Sequence, residues 1–247
     1  MKSNHHTLHV LSIDFDLFQN VELNTIRTAY PDGVDLPTQL SSLVWQSHYA
    51  NPESYDKLRN VTANTDMIDE LKTLIEASVK KHFPDTMICN SHKHIYDFIH
   101  ETFDNADYTK ISIDHLDMHH DLFNDNPEVD CGNWLSHIQK EIKTNINWIA
   151  NPISKDAYGL NDAVFDRVKT DFSSLKDHTW DIIFLCRSDN WLPPHLDDTF
   201  TEFALFLIDH SMSYRYESGI LTSRWTPEYQ QSIKQLNGQI QELKANL

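Results

Sequence analysis

The sequence predicts an α/β protein: a three-layer fold with a mostly parallel sheet covered by helices on both faces. Three observations lead there. Strand-like and helix-like stretches alternate along the chain, the pattern that βαβ units produce. The run WDIIFLCR (180–187) is almost wholly apolar, as expected of a central strand covered on both sides. At 247 residues, 40% of them hydrophobic, the chain is long enough to bury one full core, so a single domain over residues 1–247 is expected.

The elements follow in order. TLHVLSIDFDLF (7–18) alternates and is rich in β-branched and aromatic residues, which reads as a strand ending near Asp14. Residues 19–64 carry few helical signals and read as a long irregular excursion, with a turn at Pro31-Asp32-Gly33. In residues 66–83, Met67, Ile68, Leu71, Leu74, Ile75 and Val79 recur at helical spacing behind Asp66 as a cap. TMIC (86–89) is a short strand and HIYDFIHETF (94–103) a helix. KISIDHL (110–116) is the next strand, and NWLSHIQKEIKTNI (133–146) reads as a helix capped by Asn133. After the apolar strand come helices over 197–211 and 226–247.

Charge narrows the partners. The net charge is −17, from 37 acidic against 20 basic residues, which repels nucleic acid and anionic lipid and favours cationic ligands. No apolar run approaches the roughly 20 residues of a membrane span, and MKSNHHTLHV lacks the apolar stretch of a secretory signal. Three cysteines without a CxxC pair fit a reducing cytoplasm.

The chemistry concentrates where strands end, which is where α/β sheets bind ligands. Asp14 and Asp16 are two apart, and Asp117, His119 and Asp121 repeat that spacing, so each set points to one side. Carboxylates converging without cations repel, and burying them unpaired is costly. A divalent metal removes the conflict, and oxygen ligands with a minority of imidazoles suit Mn²⁺ better than Zn²⁺.

DMHHD (117–121) resembles the DxHxD signature of the ureohydrolases, the arginase and agmatinase superfamily, and SIDFD (12–16) resembles its SxDxD signature. The resemblance covers roughly residues 8–20, 86–137 and 181–200, and it implies an arginase-like fold holding two Mn²⁺ per chain. The family's motifs run His, DxHxD, DxD; here they run DxD, His, DxHxD, a cyclic permutation. CNSHKHIYDFI (89–99) offers the further histidine, His92 or His94, with Ser91 where an Asp is usual. The resemblance then implies Asp14 and Asp117 as bridging ligands, His92 with Asp121 on one ion, and His119 with Asp16 on the other. CGNWLSHI (131–138) is similar to an agmatinase segment in which a His four residues beyond the Asn shuttles protons, which marks His137 as catalytic beside Asp117. Asn133, Trp134, Asp189 (in CRSDNWLPPHLDDTF, 186–200) and Glu22 are candidate substrate-binding residues.

In size and in DMHHD…VDCGNW, the closest branch is the peptide arginases, which convert arginine side chains of ribosomally made peptides to ornithine. The expected partner is therefore an arginine-containing precursor peptide, with residues 19–64 lining its groove. The alternatives are a small guanidino compound such as arginine or agmatine, a non-catalytic metal- or peptide-binding protein of the same fold, or a single-zinc deacetylase. The deacetylase would have no use for Asp121 or for the Asp14/Asp16 pair.

Overall fold

The computed structural model describes residues 6–31, 33, 35–123, 126–159, 164 and 168–246. At its centre lies a six-stranded sheet whose neighbouring strands all run parallel. In spatial order these are β6 (Thr144–Ile149), β5 (Tyr108–Leu116), β1 (His6–Asp14), β7 (Ile182–Cys186), β4 (Asp85–Cys89) and β8 (Ser213–Tyr216). A separate two-stranded pair joins β2 (Gln19–Asn20) to β3 (Thr62–Ala63).

Alternation along β1 divides the core. Leu8 and Val10 enter one cluster with Ile111 and Ile113 of β5. Leu11 and Ile13, on the opposite face, enter the other. The first face is covered by α5 (His94–Asp104) and α6 (Trp134–Glu141) through Ile95, Ile99, Leu135 and Ile138. The second is covered by α4 (Thr65–Val79) and α8 (Asp197–Asp209) through Ile68, Leu71, Ile75, Phe200 and Phe203. The expected three layers are present, and the sheet is parallel throughout rather than mostly so.

Residues 19–64 are more ordered than the sequence suggests. They form α1 (Leu23–Ala29), α2 (Thr38–Ala50) and α3 (Pro52–Leu58). With α9 (Pro227–Ala245) these helices bury Ala29, Trp45, Tyr49, Leu58 and Ile233 in a cluster of their own. Helix α2 buries Ser41, Trp45 and Tyr49 at every fourth position. That stripe is narrow, one member is polar, and Leu40 and Leu43 face solvent, so the apolar pattern is blurred. The turn expected at Pro31-Asp32-Gly33 lies partly outside the described residues.

Other boundaries also differ. Asn64, not Asp66, caps α4, its side chain accepting from the Met67 amide at 3.2 Å. The helix read over 133–146 stops at Glu141, and Thr144–Ile149 is strand β6, paired with β5 from Ile111↔Thr144 to Leu116↔Ile149. Strand β8 and helix α7 (Ser154–Tyr158) carry no sequence signal strong enough to anticipate.

Register places the site. Ile13 pairs with Leu116, so Asp14 at the end of β1 lies beside Asp117 just past β5. The chain runs from β1 out to β4 on one side and back across to β5 on the other, which puts a reversal of strand order at this edge.

Candidate metal centre

Ser12 and Asp14 on β1, with His115 and Asp117 at the end of β5, share the face covered by α5 and α6. A short 3₁₀ turn at Phe15–Phe18 follows β1 and carries Asp16. After β5, Asp121 adopts a left-handed backbone (φ 52°), a conformation uncommon outside glycine that persists only when its surroundings fix it. His92 enters from the turn after β4. Asp14, Asp16, His92, His115, Asp117 and Asp121 are all buried, and His119 is nearly so.

These side chains converge. His92 Nδ1 lies 3.0 Å from Asp117 Oδ2, 3.2 Å from Asp121 Oδ2 and 3.4 Å from Asp14 Oδ2. His119 Nδ1 lies 3.2 Å from Asp16 Oδ2 and 3.3 Å from Asp117 Oδ1. Several of these atoms nevertheless lack hydrogen-bond geometry: Asp16 Oδ2, Asp117 Oδ2 and His92 Nδ1 are buried without a hydrogen-bond partner among the described residues. Two groups of side chains have ligand atoms close enough that each could hold a metal ion: His92, His115, Asp117 and Asp121, and Asp16, Asp117 and His119. Asp117 belongs to both.

A surrounding layer orients the ligands, as outer partners do in metal sites. The Ser12 hydroxyl sits 2.7 Å from His92 Nε2, which turns Nδ1 toward the carboxylates. Trp134 Nε1 donates to Asp121 Oδ2 at 2.6 Å, and its ring lies against His92 and His115. Ser188, also left-handed at φ 53°, donates its hydroxyl to Asp14 Oδ2. The Asp16 amide donates to Asp14 Oδ1 and the Met118 amide to Asp16 Oδ1, each at 3.2 Å.

The electrostatics express the same crowding. Burial, with Asp14 and Asp117 nearby, pushes the Asp16 carboxyl up to about 7. Burial and then Asp117 raise Asp14, and the same two causes raise Asp121 well above its ordinary value. Burial alone would lower His92 and His119, but the facing carboxylates raise both well above normal. Burial also opposes the charge on Asp117, yet His119 and His92 hold its carboxyl below the usual range. Metal-free, the site keeps protons where a cation would place charge. Orphaned oxygens, a buried imidazole nitrogen and an oxygen-rich donor set fit a divalent cation.

No family model, curated protein or solved structure matches the chain. Among the described residues, no helix is long and apolar enough to cross a membrane.

All six residues expected as ligands meet here, and His92 rather than the partly exposed His94 is the histidine that reaches them. His115 went unrecognised, although it extends the every-second-residue pattern of 117, 119 and 121 by one step. Of the other expected site residues, Trp134 reaches the cluster, packed beneath it, while His137, Asn133, Asp189 and Glu22 do not. His137 packs edge-on against Tyr96 of α5, with ring centroids 6.4 Å apart, and does not line the cavity above the carboxylates. Asn133 holds the preceding loop, accepting from the Asp130 amide and donating to the carbonyls of Asn126 and Glu128. Trp134 is fully buried beneath the ligands, where substrate does not reach. Asp189 is ion-paired with Arg187 at 2.5 Å and lies 3.7 Å from Arg224, in a buried network that also includes Asp197. Glu22 lies exposed on a different cleft, about 770 Å³ in volume, lined by Gln19, Glu53, Lys57 and Asn151 among others.

The cavity above the carboxylates has a volume of about 470 Å³. Asp14, His119 and Asp121 face it together with Asp35, Phe123, Asp130, Tyr158 and Trp191. Of the described residues in 19–64, Gly33 and Asp35 line it.

Proposed function

We propose that this chain is a dinuclear, manganese-dependent hydrolase of the ureohydrolase type, acting in the cytoplasm on arginine side chains within a peptide and releasing urea to leave ornithine. The observation that carries the reading is the sharing of Asp117 between two buried ligand groups. A single-zinc deacetylase has no use for the second group. Support also comes from the resemblance of SIDFD and DMHHD to the family's motifs, now side by side. The acidic cavity favours a cationic substrate, and Cys89, Cys131 and Cys186 are unpaired thiols, as a reducing compartment allows.

His92, His115, Asp117 and Asp121 would hold one ion, and Asp16, Asp117 and His119 the other, with Asp14 beside both. Paired divalent ions supply a water of lowered pKa and a polarised substrate carbon. The protein's own residues do the rest. Ser12 and Trp134 fix His92 and Asp121 so that little reorganisation accompanies binding. Water adds to the guanidinium carbon, the bond from that carbon to the side-chain nitrogen breaks, and the departing amine takes a proton. Tyr158 lines the cavity with its ring 4.5 Å from that of His119. Its phenol faces the cavity with a proton at neutral pH, and we assign it as the source of that proton.

Incubating the Mn²⁺-supplied protein with an arginine-containing peptide tests the reading. Mass spectrometry should find ornithine in place of arginine, with urea released; an unchanged peptide, with agmatine and arginine also untouched, contradicts it.

A further inference from the structure

The loop after β7 holds one residue in a strained shape. Ser188 takes a left-handed backbone (φ 53°), which a residue with a Cβ avoids unless its surroundings impose it. Here both neighbours are fixed. Arg187, fully buried, donates to the Asp189 carboxylate and to the carbonyls of Ile220 and Thr222, the last two at 2.9 and 3.2 Å. The Asp189 carbonyl accepts from Ser41 and Trp45 of α2 and from Arg224, each at 2.7 Å. Ser188 closes a turn of its own, its carbonyl accepting from the Trp191 and Leu192 amides at 2.8 and 2.9 Å. Its hydroxyl, 3.5 Å from the Cys186 sulfur, donates to Asp14 Oδ2.

Asp14 differs from the carboxylates around it. Asp16 and Asp117 each keep one buried oxygen without a hydrogen-bond partner among the described residues. Both oxygens of Asp14 are taken, Oδ1 by the Asp16 amide at 3.2 Å and Oδ2 by Ser188. Asp14 belongs to neither ligand group, although its Oδ2 stands 3.4 Å from His92 Nδ1.

We propose that Ser188 is a positioning residue, presented by the strained loop to Asp14 so that this carboxylate supports the ion of the His92 group and does not bridge to the other. The proposal rests on the two-ion centre of the reading above, not on the reaction assigned to it. A hydroxyl donating to a carboxylate makes a charge-assisted bond that fixes the direction of the carboxylate, as outer partners of metal ligands do. Asp14 then keeps its charge beside His92, where the first ion sits. The anchors on Arg187 and on the Asp189 carbonyl hold the hydroxyl in place before any metal arrives.

Mn²⁺ titrations, with the free ion read by electron paramagnetic resonance, test this beside melting of the metal-free variants. Ser188→Ala deletes the hydroxyl and keeps the strain; Ser188→Gly deletes the hydroxyl and accepts the left-handed backbone freely. The glycine variant should melt at or above the alanine one, yet both should lose about tenfold or more in affinity for one ion and hold the other as the parent does. In an Asp16→Ala background, where the His92 group holds the remaining ion, Ser188→Ala should cost the same factor. In an Asp14→Ala background it should cost nothing further, because the group through which it acts is gone. Affinity recovered in Ser188→Gly, a further loss on top of Asp14→Ala, or both ions lost from Asp14→Ala alone overturns the proposal. A parent that binds a single ion removes the two-ion reading; Ser188 keeps its role if that ion weakens in Ser188→Ala and loses it otherwise.

Discussion

Replacing Trp134 by Phe removes the indole N–H from beneath the site and leaves a smaller ring in a fully buried position. The Trp134 ring packs against His92 and His115, at centroid distances of 5.2 and 5.6 Å; a phenyl ring keeps part of that packing, at a cost common to the metal-free and metal-bound states, and the bond from Nε1 to Asp121 Oδ2 at 2.6 Å is lost. Its worth differs between the two states of the site. Metal-free, burial and then Asp117 raise Asp121 well above its ordinary pKa, which shifts the acceptor of this bond toward the neutral carboxyl. Such a bond contributes about 0.5–1.5 kcal/mol. With metal bound, Asp121 is a carboxylate, and the bond contributes about 1.5–3 kcal/mol. The difference, roughly 1–2 kcal/mol, falls on metal affinity as a loss of about 5- to 30-fold. Competition titration with a chelator measures it, with melting of the metal-free protein alongside to record the smaller loss common to both states. Unchanged metal affinity in the variant, or a loss confined to the metal-free melting temperature, would show that Trp134 is packing alone.

Asp197→Ala leaves Arg224 buried without its partner at 2.7 Å, so the melting temperature should fall on the order of 10 °C. Differential scanning calorimetry decides that, and a change below a degree contradicts it. His137→Gln should leave metal content and turnover close to those of the parent, because its ring lies against Tyr96 and off the cavity wall. A large loss of turnover with metal retained would restore it as a proton shuttle. The pH dependence has a definite sign. Asp16 titrates at about 7 when folded against an ordinary 3.8, so above that ordinary value the folded state binds more protons and stability falls as pH rises. The raised His92 and His119 contribute stability that is lost as pH rises through their folded values. Burial, the largest cause, lowers His115 to about 3 and gives it the opposite sign, but only below its unfolded value near 6.5. The depressed Asp117 acts only below about pH 4. Between pH 6.5 and 8 the metal-free protein should therefore lose thermal stability while the gain on adding Mn²⁺ grows. A flat gain across that window refutes the proton-for-metal exchange.

Period and residue type made the fold legible where they agreed. The all-apolar 182–186 stretch and the alternation of 7–14 both imply covered parallel strands, and both lie centrally. The paired spacing of Asp14/Asp16 and Asp117/His119/Asp121 marked the residues that converge, although of these only Asp14 lies on a strand: Asp16 sits in the 3₁₀ turn and 117–121 run past β5. His115 carries the same repeat, yet it sits inside a strand already explained by its apolar neighbours. What the sequence concealed depends on contacts between distant segments. Thr144–Ile149 reads as a helical tail until β5 is there to pair with it. Helix α2 owes its burial to α9 and to the Asp189 carbonyl, which accepts from both Ser41 and Trp45. The Asp189 carboxylate is held by Arg187, two residues before it, and only the fold adds Arg224, which donates to its backbone carbonyl from 35 residues away.

The shared role of Asp117 is tested most directly by counting ions. Native mass spectrometry of the Mn²⁺-saturated chain should find two per molecule, with Asp117→Ala losing both and Asp16→Ala retaining one. A single ion in the parent protein, unaffected by the loss of Asp16, would contradict a centre built from two groups around one carboxylate.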